Sequence, residues 1–175
     1  MATATASANR SPVRALIETV VSTRPAPTAT DVGLAIVRAL LAVLFIYHGA
    51  RRLFGAFDGA GLDASAHYFA HTAGLSPGKL FAVLSGVTEF AGGIALAFGL
   101  FARLAGLGIF VDMMMAIITV TGSNGINSTG GNNGYELNLA LGFLALVIVI
   151  LGAGRFSVDA LLERRLGGAK SASSN

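Results

Sequence analysis

Four ionisable residues stand inside runs that are otherwise apolar: Arg38, Glu89, Asp112 and Glu136. A carboxyl group shielded from water can hold or pass a proton, and a guanidinium can grip a carboxylate or a polar headgroup with its planar fork of donors. Charges at bilayer depth cost roughly 2.5–3.5 kcal/mol each even on the gentlest scale, so these groups should face inward and pair. On a helix carrying Glu89, the same face holds Ser85, Gly86, Gly92 and Gly93; around Asp112 it holds Ala105, Gly108, Ala116 and Thr119. Small residues let helix backbones approach closely, which makes both faces helix–helix contacts. Arg38 shares its face with Ala42 and Gly49 and is the natural counter-ion, so the expected first pair is Arg38–Glu89 with Asp112 beside it. One cation against two carboxylates leaves one carboxyl in excess. The cluster then has two readings: a proton relay or quinone-headgroup site, or a charge pair that fixes which helices meet and in what register. Glu136 has a third, because "NNGYE" opens an apolar run. Asn133 as N-cap with Glu136 at the third helical position would form a capping box, and a helix N-terminus favours a carboxylate in any case.

A second set of polar residues lies between the apolar runs. "YHGARRLFG" carries His48, Arg51 and Arg52, which are candidates for contact with lipid phosphates or a quinone headgroup. Asp63, His67 and His71 are spaced i, i+4, i+8, so one helical face would present all three, a spacing that suits a metal ion. The competing reading of that stretch is an interfacial helix with Tyr68 and Phe69 among the headgroups. The Met113–Met115 run reads as adaptable packing.

The elements that must position these residues follow from composition. Hydrophobic residues make up 54% of the 175-residue chain and charged ones 12%, where a soluble domain carries about 25% charged, and the mean hydropathy is +0.71. So few charges cannot dress a globular surface; the sequence predicts an integral membrane protein, all-α, built as a four-helix transmembrane bundle. Spans are expected at 32–53, 80–100, 104–121 and 135–152, each near the roughly 20 residues that a bilayer core demands. The first connection, 54–79, should hold a short helix, "DASAHYFAHTAG"; the second, at Arg103, is tight; the third, "GSNGINSTGGNNG", is rich in Gly and Asn and uncharged. Residues 1–30 form an N-terminal arm in which Val13, Leu16, Ile17, Val20 and Val21 make the apolar stripe of an amphipathic helix, interrupted by Glu18 in a way that a cleaved signal peptide would not be. Residues 31–155 form the membrane domain, and 156–175 a second amphipathic helix, "SVDALLERRL", followed by a fraying Ser/Ala tail.

Basic residues set the orientation. Arg10, Arg14, Arg24, Arg103, Arg155, Arg164, Arg165 and Lys170 fall on one side, against Arg51, Arg52 and Lys79 on the other, which places both termini in the cytoplasm. The basic residues flank spans and form no stripe interleaved with aromatics, so no nucleic-acid partner is expected; the expected partners are the lipid bilayer, a membrane or soluble redox protein, and a second copy of the chain. With no cysteine, thiolate metal sites, iron–sulfur ligation and thiol–disulfide exchange are excluded, and any redox role needs a bound cofactor, a diffusing quinone or a partner.

Taken in order, an Arg in the first span, "HGARR" at its end, "EFAGGIALAFGLFARLAG" through the second turn, "GYELN" opening the fourth span and "GAGRFSVD" closing it resemble the DoxX family of small four-helix bacterial membrane proteins, over about residues 33–162. The resemblance implies a bundle in the bacterial cytoplasmic membrane. The family takes its name from a subunit of thiosulfate:quinone oxidoreductase, and other members accompany redox, sulfur or oxidative-stress systems. It implies that the polar family positions fall on Arg38, His48, Glu89, Arg103 and Glu136, while Asp112 has no assigned place. Catalysis by the chain itself does not follow from the resemblance. The functional expectation is a membrane subunit or anchor for a redox, quinone-linked system. The alternatives are an assembly protein without catalysis and a small transporter or proton pathway.

Overall fold

A computed structural model describes residues 27–127 and 133–172, all helical apart from turns and connections. The amphipathic stripe expected at residues 13–21 lies outside the described residues. The helices are α1 (Pro27–Phe54), α2 (Gly61–His71), α3 (Gly78–Phe98), α4 (Ala102–Ala116), α5 (Glu136–Leu151) and α6 (Val158–Ala172). α1, α3, α4 and α5 form the bundle, with α1 against α3, α3 against α4, and α4 against α5; α2 lies against α3.

Local chemistry sets the helix ends. α1 is described from Pro27 and finishes with Arg51 and Arg52 in its last turn, complementing the helix dipole. α3 ends on Gly99 at φ 63°, with Leu100 N donating to Ala95 O at 2.9 Å and Gly99 N to Leu96 O at 3.1 Å. This is a Schellman closure, in which glycine takes the left-handed position without a Cβ clash. The reversal into α4 is completed from a distance: Asp159 accepts from Phe101 N at 2.8 Å and Ala102 N at 2.9 Å, capping the first turn of α4. Past Ala116, α4 widens into a π turn, Ile117–Thr121, and closes in a single 3-10 turn, Gly122–Asn124.

Three segments, Thr28–Phe54, Gly78–Phe98 and Ala102–Asn124, are long and apolar enough to cross a membrane. The expected fourth span is shorter: α5 has 16 residues, about 24 Å of helix, against a hydrocarbon core of about 30 Å. Its start is at Glu136, and Gly152 at φ 87° stops it after Leu151. Beyond the bundle, the Ser157 hydroxyl accepts from Ala160 N at 3.2 Å, an N-cap for α6. α6 then runs on to Ala172, past the point where a fraying tail is expected from sequence.

The core is narrow and runs along the bundle axis: Leu41, Phe45, Leu96, Ile109 and Ile148 are the largest fully buried side chains. Small residues bring the helices together around it. A Cβ on Gly93 would stand 2.8 Å from the Ile46 nitrogen, and one on Gly106 would stand 3.0 Å from the Ala145 carbonyl oxygen. Ile36, Val43, Leu104, Ile118, Phe143 and Ile150 are each more than half exposed. A soluble monomer rarely shows so much contiguous apolar surface, whereas a lipid-facing belt is made of such residues. The chain is an all-α membrane protein.

Candidate functional site

The bundle gathers its polar residues at two levels. At the end that carries the described chain's termini, Arg38 of α1 is 4% exposed and its guanidinium is filled by backbone carbonyls. Nε donates to Leu96 O at 3.1 Å, Nη2 to Phe156 O at 2.9 Å, and Nη1 to Ala153 O. The acceptors are a carbonyl in the last turn of α3 and two in the turn between α5 and α6, where the negative end of a helix dipole welcomes a cation. Nearby, Arg103 Nη1 reaches Val149 O at 2.6 Å and Ile150 O at 3.1 Å, and Asp31 accepts from Arg155 N at 2.9 Å. This level ties α1, α3, α4 and α5 to the turn before α6, and each of the three guanidinium nitrogens of Arg38 donates in doing so.

The pair expected between Arg38 and Glu89 therefore does not form, and the reason is register. α1 and α3 run antiparallel, with Gly93 against Ile46 and Gly99 against Arg38, whose Cζ would lie 2.9 Å from a Cβ on Gly99. From Gly99 back to Glu89 is ten residues, about 15 Å along the helix, which is beyond the reach of the side chain. The residue at the right level is Arg52, in the last turn of α1, where Gly86 of α3 packs against Leu53 and Arg52.

Glu89 is 3% exposed and takes a two-point grip from Arg52: Nε to Oε2 and Nη2 to Oε1, both at 3.0 Å. A bidentate guanidinium–carboxylate fork is the strongest pairing two side chains make, and it offsets the desolvation of a buried carboxylate. The Arg52 guanidinium also lies over the Phe69 ring, 5.2 Å from its centre, so α2 is fastened to the pair by a cation–π contact. Asp112 of α4 faces Arg52 and Glu89 from across the bundle, with the Ser85 hydroxyl against its carboxylate.

These groups line a cavity of about 310 Å³. Its polar wall is Arg52, Glu89, Asp112, Ser85, Asn138 and Thr121, and its apolar wall includes Phe45, Phe69, Leu75, Met113 and Leu141. Asn138 donates to Thr121 Oγ1 at 3.1 Å, joining α5 to the π turn. The widened turn itself supplies Thr119, Val120 and Thr121 to the cavity, and π segments are common where a helix serves a site. His48 and Tyr68 lie on the rim, both exposed.

Several sequence expectations are redistributed by this arrangement. Glu89 and Asp112 do meet; Arg38 and Glu136 do not join them. Glu136 is exposed and opens α5 directly, with Tyr135 at the N-cap and no side-chain cap, so the Asn133–Glu136 capping box is not formed. The loop hands its backbone groups to Ile126 and Gly125 instead, through Glu136 N to Ile126 O and Tyr135 N to Gly125 O, both at 3.1 Å. Arg51 and Arg52, expected as a matched pair of headgroup contacts, separate: Arg52 turns inward, while Arg51 bonds Tyr47 Oη at 3.1 Å and the Phe57 carbonyl. Asp63, His67 and His71 are all exposed on α2, with the two rings 4.3 Å apart. Among the described residues no three such side chains are placed to hold a metal ion.

Asn138 and Thr121 are the site residues that sequence reasoning missed. Both are uncharged, and Thr121 stands in an uncharged loop boundary where the π turn had no sequence mark. The available signal was the face of Asp112, since Ala116 and Thr119, read there as contact residues, do line the cavity. Comparison with curated proteins and with solved structures returns no match. Comparison with known families matches residues 33–122, which runs from α1 through the π turn and stops before α5. That stretch is slightly more than half of the chain and contains Arg52, Glu89 and Asp112, so the protein belongs to the DoxX family.

Proposed function

We propose that this protein is the membrane subunit of a quinone-linked redox system, with the cavity between α1, α3, α4 and α5 receiving the quinone headgroup and a partner protein supplying electrons. The observation that carries the reading is a small-molecule-sized cavity inside a membrane bundle, apolar on one wall and lined on the other by a fixed Arg52–Glu89 fork and a second carboxyl, Asp112. Ligand sites are typically cavities of about 300–1,000 Å³ with a few convergent polar groups. The formal charges, one guanidinium against two carboxylates, disfavour an oxyanion and favour an uncharged ring whose carbonyl oxygens accept hydrogen bonds. Donors are at hand in His48 and in the second amide N–H of Asn138. Reducing a quinone takes two electrons and two protons, and carboxyl groups beside the ring are suited to pass the protons. The chain has no cysteine to ligate an iron–sulfur cluster, which is why the electron source is placed on a partner. Orientation by basic residues sets both termini in the cytoplasm of a bacterium and so turns the cavity toward the outer half of its cytoplasmic membrane.

A second reading has its own observation. The fork is closed on both oxygens of Glu89, as a pair that only fixes the register of α1 on α3 would be. The two are separated by measuring quinone binding to the purified protein in nanodiscs, and quinone reduction with and without co-purifying partners. Binding that is lost in Asp112→Leu while the variant stays folded supports the ligand site. Absence of binding, with Asp112→Leu as stable as the parent, leaves only the register role.

A further inference from the structure

The four sides of the bundle are not equally closed. α1 and α3 touch through Gly49 and Gly93, α4 and α5 through Gly106 and Gly142, and α3 and α4 through Gly92 and Gly108; a Cβ at any of the six would stand within about 3.4 Å of the facing helix. The side between α1 and α5 has the least extensive packing of the four, and no glycine of either helix approaches the other. Among the described residues its hydrogen bonds are at one end, where Arg38 holds Ala153 and Asp31 holds Arg155. Toward the other end, Phe45 and His48 of α1 and Leu137, Asn138 and Leu141 of α5 line the same cavity; Phe45 and Leu141 are buried, so side chains alone close this flank of the cavity. At the α2 end Phe69 and Leu75 line the cavity with Tyr68 on its rim, and Phe69 is held by the Arg52 guanidinium.

We propose that the α1–α5 seam is a lateral doorway between the cavity and the bilayer. The site therefore takes a membrane-dissolved ligand with a compact hydrogen-bonding head and a long apolar tail, the head beside Asp112 and Arg52 and the tail lying between Phe45 and Leu141 toward the lipid. The head's identity rests on the quinone reading above; the doorway does not. With the α2 end fixed by a cation–π contact, the flank without close helix contact is where side-chain movement alone opens a route to the lipid. Leu137 on its rim is 60% exposed and apolar, as a threshold facing acyl chains should be.

The chain contains no tryptophan, so a single introduced one reports on its own surroundings. Leu141 is 9% exposed and lies on the seam, whereas Phe143 is 53% exposed. In nanodiscs made with acyl-chain-brominated phosphatidylcholine, fluorescence of Leu141→Trp should be quenched at least half as strongly as that of Phe143→Trp, because a seam closed only by side chains opens to lipid chains. A decyl-tailed quinone should relieve the quenching of Leu141→Trp, and the same ring without its tail should not. Quenching of Leu141→Trp below half that of Phe143→Trp would overturn the doorway. Should Leu141→Trp not fold, Leu137→Trp serves in its place: relief of its quenching by the tailed quinone, with none at Phe143→Trp, supports the seam, and equal behaviour at the two positions overturns it. Failure of either quinone to bind the parent chain removes the quinone reading alone, since quenching by the lipid itself still decides the doorway.

Discussion

A double-mutant cycle on Arg52 and Glu89 tests the central pairing most directly. The fork consists of two charge-assisted hydrogen bonds at 3.0 Å, each of a kind worth about 1.5–3 kcal/mol. Breaking a buried pair from one side costs about 3–5 kcal/mol, largely because the remaining charge is stranded. The Glu89 side chain is 4% exposed but that of Arg52 is 25% exposed, so a stranded Arg52 keeps some access to water. Glu89→Leu is therefore expected near the lower limit, about 3 kcal/mol, and Arg52→Met, which strands the more buried partner, somewhat above it. The double variant Arg52→Met/Glu89→Leu should lose less than the sum of the two, by a coupling energy of about 2 kcal/mol. Arg38→Met supplies the contrast: its level on α3 is about 15 Å from Glu89, so its effect should add to that of Glu89→Leu within about 0.5 kcal/mol. Reversible unfolding of the bilayer-reconstituted protein by steric trapping yields all the free energies needed. Coupling above about 1.5 kcal/mol between Arg38 and Glu89, with additivity between Arg52 and Glu89, would refute the register on which the site is built.

The helix contacts and the Arg38 lock give two further expectations. Gly93→Ala sets a methyl 2.8 Å from the Ile46 nitrogen and should destabilise the bundle by about 1–3 kcal/mol, whereas Gly33→Ala, with nothing within 4 Å of the added carbon, should be neutral or stabilise by up to about 1 kcal/mol through helix propensity; the same unfolding measurement checks both, and equal losses would contradict the packing. Arg38→Lys keeps the charge but cannot span the three carbonyls of Leu96, Ala153 and Phe156 with one ammonium; amide exchange at the α5–α6 turn should speed up in this variant while exchange around Glu89 is unchanged, and protection equal to that of the parent would show that the fork geometry is not needed.

Much of the architecture was legible because it follows from quantities that local sequence carries. Long uncharged runs demand a bilayer, small residues three and four positions from a carboxylate mark its face as a helix contact, and a short helix was expected at "DASAHYFAHTAG", residues 63–74, where the structure has Gly61–His71. Glu89 and Asp112 could be placed on inner faces for that reason. The length of α5 was less visible, because the capping pattern in "NNGYE" is a statement about one turn, while the loop's backbone bonds to Gly125 and Ile126 start the helix later. The metal spacing on α2 is a similar case: i, i+4 brings two imidazoles within 4.3 Å of each other, but among the described residues no third side chain joins them.

Sequence alone, then, determined that this is an all-α membrane protein of the DoxX type, with Glu89 and Asp112 turned inward, because periodicity and hydropathy act within a single helix. The partner of Glu89 was decided only in the tertiary structure. Arg38 and Arg52 lie on the same helix, and which of them meets Glu89 depends on how far α1 is offset against α3, a quantity set by glycine contacts between helices distant in sequence. The cavity and its lightly packed α1–α5 flank belong to the same class of fact. They arise where four helices fail to close equally, and no single helix carries a mark of that.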